Sequence, residues 1–166
     1  MAAAGKHVAL VTGAAGNLGG QIAKKLARSG RYRAVVGTDV SKFTSVQSDN
    51  DPQHQQHYVG GVDLTDRTAV EALFQRVGEE KGAGADGDGQ LVVVHVAAWP
   101  GPAQEPPLRA LKRTASPSNN RIGLEATSPA ALLSDNVASA YNVFEAAAEA
   151  GAARVVFSSS AFATVL

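Results

Sequence analysis

The stretch His7-Val8-Ala9-Leu10-Val11-Thr12-Gly13-Ala14-Ala15-Gly16-Asn17-Leu18-Gly19 decides how the rest of the chain reads. His7 to Thr12 is short and apolar on both faces, the pattern of a strand buried on both sides of a parallel sheet, and Gly13 stops it. From Asn17 to Ser29, Leu18, Ile22 and Leu26 recur four apart, which predicts one helix face, and Gly30 follows as a C-cap. The unit is strand, glycine turn, helix. In that setting each glycine has a use: Gly13 permits the tight turn, Gly16 lets the backbone approach a pyrophosphate, and Gly19 lets helix and strand pack closely. The helix N-terminus would face the phosphates, so Ala15, Asn17 and Leu18 join the three glycines as cofactor-binding candidates. The alternative is an Ala/Gly-rich turn without a ligand. No Gly-Lys-Ser/Thr follows, which excludes a Walker loop.

Working outward, the same alternation continues to the end of the chain. Ala34 to Thr38 is a second apolar run ending in Asp39, and Tyr58 to Val62 a third ending in Asp63. Thr65 is placed to cap a helix carrying Val70, Leu73, Phe74 and Val77. Gly82 to Gly89 has no packing side chains and reads as a flexible loop. Leu91 to Val96 is the most strand-like run, and Ser128-Pro129 opens a helix with Leu133, Val137, Ala140 and Phe144 on one face until Gly151. Arg154 to Phe157 is a fifth strand. Five strands alternating with helices predict an α/β fold, an open doubly wound parallel sheet in the order 3-2-1-4-5, C-terminally incomplete. Residues 1–166 then form one nucleotide-binding domain. Pro100 to Pro129, holding six of the seven prolines, is too long for an ordinary connection and is either a surface insertion or a lid over the ligand crevice.

Composition narrows the function. Of 166 residues 45% are hydrophobic, but 31 are Ala, so the core rests on few large side chains. Fifteen basic and fifteen acidic residues leave no net charge, which argues against nucleic acid or an anionic membrane as partner. The absence of Cys excludes disulfides, thiolate metal sites and a Cys nucleophile. No apolar run reaches the roughly 18 residues of a membrane span, and the start lacks a signal-peptide pattern, so the expected compartment is the cytoplasm. His54, His57 and His95 form no metal constellation, and His95 is expected as a core imidazole.

Asp39 lies twenty residues beyond Gly19, at the end of the second strand, where a carboxylate accepts hydrogen bonds from the adenosine ribose. Its charge favours NAD over NADP, while Arg31 and Arg33 nearby keep NADP open; the alternative role for Asp39 is that of a strand-ending turn residue. The motif TGAAGNLGG at 12–20, Asp39, Asp63-Leu64, His95-Val96-Ala97-Ala98, Asn136-Val137 with Tyr141 to Ala147, and Val155 to Ser160 together resemble the extended short-chain dehydrogenase/reductase family, the NAD-dependent epimerase/dehydratases. Phe157-Ser158-Ser159-Ser160-Ala161 is most similar to sugar-nucleotide epimerases and uronate dehydrogenases. The resemblance implies a Rossmann-like domain in which Asp63 and Leu64 flank the adenine and Ala97 and Ala98 line the cofactor. It implies further that Asn136 supports the active-site backbone and that Ser160 bonds the reacting substrate oxygen. Plainer roles stay open: a cap for Asp63, packing for Ala97-Ala98, an exposed helix position for Asn136, and a strand-end hydroxyl for Ser160.

The chemistry implied by the resemblance needs a Tyr as acid/base with a Lys four residues later. Here Tyr32, Tyr58 and Tyr141 are followed at that distance by Val36, Val62 and Glu145, and Lys112 is the last Lys. Ser139-Ala140 stands where the family has Gly-Thr. Two readings follow. The chain is the truncated NAD-binding part of an epimerase, dehydratase or sugar dehydrogenase, acting on a sugar or nucleotide-sugar in a full-length form and inactive alone. Otherwise it is a dinucleotide-binding sensor without redox chemistry. In either, the fifth strand is expected to be an exposed edge prone to self-association, and Trp99, just past Ala98, is expected to report nicotinamide binding by its fluorescence.

Overall fold

The computed structural model describes residues 6–43, 56–82, 89–98 and 129–158. Side chains alternate along β1 (His7–Thr12), which sends Val8 and Leu10 into one apolar cluster and Ala9 and Val11 into another on the opposite face. The remaining elements are α1 (Asn17–Arg28), β2 (Tyr32–Asp39), β3 (Gln56–Gly60), α2 (Arg67–Gly82), β4 (Leu91–His95), α3 (Pro129–Glu149) and β5 (Arg154–Phe157). All the strand pairs are parallel, in the order β3-β2-β1-β4-β5. The fold is the Rossmann-like doubly wound α/β sheet. The order changes direction between β1 and β4, whose carboxyl ends meet at Thr12 and His95, and a crevice opens at such a point.

The helices divide between the two faces. Val70, Leu73, Phe74 and Val77 of α2 and Val143, Ala146 and Ala147 of α3 cover Val8, Leu10, Val36, Leu91 and Val93. On the other face Ala23 and Ala27 of α1 pack with Ala9, Val11, Val35 and Val94.

Helix faces and boundaries differ from the sequence expectation in particular places. In α1 the residues buried are Gly19, Ala23 and Ala27, with Ile22 and Leu26 flanking and Leu18 56% exposed. Small side chains let the helix lie close to the sheet, so the large ones are displaced to its margins. In α3 the buried positions are Ser139, Val143, Ala146 and Ala147, whereas Leu133, Val137, Tyr141 and Phe144 stay exposed. Strand β3 runs from Gln56 to Gly60 and not to Val62, because Gly61 (φ 79°) turns the chain out of the ladder. Asp66, not Thr65, caps α2: its Oδ1 accepts the N–H of Thr68 at 2.9 Å, while the Thr65 hydroxyl is turned back to Asp63 Oδ1 at 2.7 Å. β5 pairs with β4 and forms the edge of the described sheet, with Val155, Val156 and Phe157 39%, 47% and 49% exposed. No helix among the described residues is long and apolar enough to cross a membrane. Most of the loop 82–89 (83–88) and of the Pro-rich segment (100–128), with His54, Trp99 and Ser160, lie outside the described residues.

Candidate functional site

Four segments at the carboxyl edge of the sheet surround one cleft of about 500 Å³, within the range of small-molecule sites. The turn after β1 contributes Gly13, Ala15 and Gly16, and the chain leaving β2 contributes Asp39, Val40 and Ser41. The β3–α2 loop contributes Val62, Asp63 and Leu64. Val96, Ala97 and Ala98 follow β4, and Ser139 of α3 completes the lining.

The glycine turn is fixed by close approach. Gly13 has φ 69°, and a Cβ there would lie 2.9 Å from the Cα and N of Ala97, so a side chain would collide with the backbone leaving β4. A Cβ on Gly19 would lie 2.2 Å from the Gly13 carbonyl oxygen, which brings the first turn of α1 directly against the loop. Gly16 is the N-cap of α1, with an extended backbone, no side-chain cap hydrogen bond, and no acidic residue in the first helical turn. The positive end of a twelve-residue helix therefore begins at a residue that lines the cleft. Such an end favours an anion.

Asp39 ties two walls together. Its Oδ2 accepts the Ala15 N–H at 3.1 Å and its Oδ1 accepts the Ser41 N–H at 2.9 Å, so the carboxylate bridges the β1 turn and the exit of β2. On the next wall Asp63 Oδ1 accepts the N–H of Thr65 at 3.0 Å as well as its hydroxyl, closing a compact turn.

Beneath the cleft Thr12 joins β1 to β4. Its Oγ1 accepts the N–H groups of Val96 and Ala97, both at 3.2 Å, and lies 2.8 Å from Nδ1 of His95. With two donors already directed at it, the hydroxyl gives its own proton to Nδ1, which assigns a neutral His95 protonated on Nε2. Burial holds His95 to the same neutral form by lowering its pKa to about 4. The imidazole stacks on Phe157 (centroids 5.6 Å apart, 13°) and meets the edge of Phe144 at 5.9 Å, so it serves as a core ring at the cleft floor. Among the described residues no group of three or more His, Asp or Glu is arranged to hold a metal.

Of the residues singled out in the sequence, Gly13, Ala15, Gly16, Asp39, Asp63, Leu64, Ala97 and Ala98 come together in the cleft. Gly19 is buried behind it. Asn17 and Leu18 point outward: Asn17 Oδ1 accepts from Gln21 Nε2 at 2.8 Å, and only the backbone of these two residues sits at the helix end. Asn136 is half-buried one turn before Ser139, whose hydroxyl donates to the Asn136 carbonyl at 3.1 Å, and it is not among the lining residues. Ser160 lies outside the described residues. Val40, Ser41, Val62 and Val96 line the cleft without being among the cofactor-binding candidates of the sequence, as neighbours of strand ends already marked. Ser139 had a signal of its own, as a buried hydroxyl where the resembled family has Gly.

Residues 7–85 match the family model described as short chain dehydrogenase. No curated protein matches the chain. Among solved structures, a short chain dehydrogenase from Burkholderia cenocepacia in complex with NADP is 23% identical, with a TM-score of 0.62 over 97% of this chain and 58% of its own. A metagenomic short-chain oxidoreductase in complex with NADP is 18% identical, with a TM-score of 0.60 over 93% of this chain and 62% of its own. A GalE-like L-threonine dehydrogenase from Cupriavidus necator is 19% identical, with a TM-score of 0.54 over 90% of this chain and 36% of its own. The chain thus spans between about a third and two thirds of the length of these structures. Over residues 7–85 it matches the short chain dehydrogenase family, and its five-stranded sheet has the fold of solved members of that family.

Proposed function

We propose that this chain is the NAD-binding part of an NAD-dependent oxidoreductase of the extended short-chain type, an epimerase, dehydratase or sugar dehydrogenase acting in the cytoplasm. The observation that carries the reading is the convergence on one cleft of the Gly13–Gly16 turn, the N-terminus of α1 without a side-chain cap, and the Asp39 carboxylate. The residues fit a dinucleotide. The first turn of α1, which has no side-chain cap, presents its backbone N–H groups where a pyrophosphate would bind, Asp39 stands to accept from ribose hydroxyls, Asp63 and Leu64 to flank the adenine, and Ala97 and Ala98 to flank the nicotinamide. When bound, the nicotinamide would supply a hydride acceptor or donor for a sugar-type hydroxyl or carbonyl.

This chain's own residues bind and orient; they do not move the substrate proton. No Tyr in the 166 residues has a Lys four positions on, so the proton transfer of the resembled family has no agent here and Ser160 alone would only hold a substrate oxygen. The second reading, a dinucleotide sensor without redox chemistry, is favoured by the same absence. An in-frame continuation of the transcript through a Tyr-xxx-Lys segment would decide for the enzyme. The exposed β5 edge and the adjoining α3 stripe belong to this proposal as a surface on which a second copy of the chain associates.

Titration calorimetry with NAD and NADH, together with the fluorescence of Trp99, tests the binding reading. NADH is expected to release heat and quench Trp99; no heat and no change in emission would refute both readings. The charge of Asp39 beside a 2′-phosphate predicts a preference for NAD over NADP on the order of 10- to 100-fold. In Asp39→Asn, which keeps the shape and removes the charge, that preference should shrink; an unchanged ratio would remove Asp39 as its source.

A further inference from the structure

Val62, Asp63 and Leu64 of the β3–α2 loop, residues 61–66, line the cleft, and the loop lies beyond the β3 ladder, which ends at Gly60. Its start is tied to β2 by the Val62 N–H, which donates to the Asp39 carbonyl at 3.0 Å. Its middle is a turn closed on itself, with Thr65 on Asp63 and the Asp66 N–H donating to the Asp63 carbonyl at 3.1 Å. The carbonyls of Leu64 and Thr65 face α3. There one side chain meets both: Asn142 Nδ2 donates to the Leu64 oxygen at 3.0 Å and to the Thr65 oxygen at 3.1 Å.

Asn142 is an unexpected residue for its place. It sits in the middle of a 21-residue helix, half-buried, where Asn is disfavoured relative to Ala because its amide competes with the helix backbone. Its planar amide carries two hydrogens from one nitrogen, the number the two loop carbonyls accept, and it brings no charge to a half-buried site. Attachment of α2 to α3 does not depend on it. Arg67, at the start of α2, already makes that joint, donating to Glu149 at 2.9 Å and to Glu145, with Glu71 on its own helix at 2.7 Å. Asn142 acts one step earlier in the chain, on the loop itself.

We infer that Asn142 is a positioning residue for the dinucleotide cleft, holding the Asp63-Leu64 wall at the distance from Asp39 that the adenosine half of the cofactor requires. This rests on the reading of the cleft as a dinucleotide site. Val62 and Leu64 bury their side chains in the core beneath the sheet, so the wall is anchored below by packing and behind by Asn142. Without the Asn142 anchor the carbonyls of Leu64 and Thr65 lose their tie to α3, and the backbone of 63–65 is held less firmly. The ligand then bears the cost of ordering it on each binding event.

The test compares the full-length chain with Asn142→Ala, which improves helix propensity while removing both donors, and Asn142→Leu, which keeps the branched side-chain shape and removes them. Arg67→Gln serves as the control, since it weakens the same helix pair without touching the loop carbonyls. ADP-ribose is the probe, titrated calorimetrically well below the melting temperature, with hydrogen exchange read on residues 61–66. Both Asn142 variants are expected to weaken ADP-ribose about tenfold and to speed exchange in the loop. Arg67→Gln is expected to lower the melting temperature while changing ADP-ribose affinity less than about twofold. Unchanged affinity in both Asn142 variants, or an equal loss in Arg67→Gln, would overturn the inference. Failure of the unsubstituted chain to bind ADP-ribose would instead overturn the dinucleotide reading, and unaltered loop exchange would then overturn the positioning role as well.

Discussion

Replacing Thr12 with Val tests whether the joint between β1 and β4 is polar by necessity. The two side chains have nearly the same shape, so the change removes little packing and one hydroxyl. That hydroxyl serves three groups: it donates to His95 Nδ1 and accepts from the N–H of Val96 and of Ala97. Thr12 and His95 are 0% and 1% exposed, so water cannot replace it at the ring. A buried polar group left without a partner costs about 1–3 kcal/mol. Val96 and Ala97 are half-buried beside the cleft, and their N–H groups recover part of that cost from solvent. The expected loss is therefore ~3–5 kcal/mol, a large share of the ~5–15 kcal/mol of a typical domain. Thr12→Ser keeps the hydroxyl and loses a methyl, for about 1 kcal/mol. Urea unfolding followed by circular dichroism measures both, and His95→Phe placed on Thr12→Val should cost less than the sum of the single changes because the stranded acceptor is gone. A Thr12→Val chain within about 1 kcal/mol of the parent, or a Thr12→Ser chain as unstable as Thr12→Val, would refute the reasoning.

Two further outcomes follow from the same region. His95 is held neutral at a pKa of about 4 by burial, below its ordinary 6.5, so the unfolded chain takes up the proton first. Its contribution is fully present above pH 6.5 and is lost as the pH falls from there toward 4, amounting to ~3 kcal/mol. Urea stability measured across that window should fall more steeply for the parent than for His95→Asn; equal slopes would show that another group carries the acid sensitivity. The β5 edge, with the exposed stripe of Leu133, Val137, Tyr141 and Phe144 beside it, should make the chain self-associate with rising concentration in sedimentation velocity. Val156→Lys, placed on the edge away from the His95 ring cluster, should suppress this, whereas a monodisperse parent at high concentration would exclude association.

The sequence by itself determined the elements and their order, because those signals are local. An apolar run closed by glycine is a buried strand whatever surrounds it, and strand–helix alternation leaves few ways to assemble a parallel sheet. The glycine turn, Asp39, Asp63-Leu64 and Ala97-Ala98 were legible for the same reason: each stands at or just past a strand end, and strand ends of such a sheet meet at one edge. Only the tertiary structure decided which helix faces are buried. Periodicity weighs side chains by size and therefore marked Leu18 and Leu133, but α1 lies against the sheet on Gly19, Ala23 and Ala27, where close approach is what buries area. The pairing of Thr12 with His95, 83 residues apart, and the reach of Asn142 to carbonyls 77 and 78 residues away have no trace in local pattern. A hydrogen bond between distant segments depends on where the packed sheet brings their backbones, and that position is a property of the whole fold.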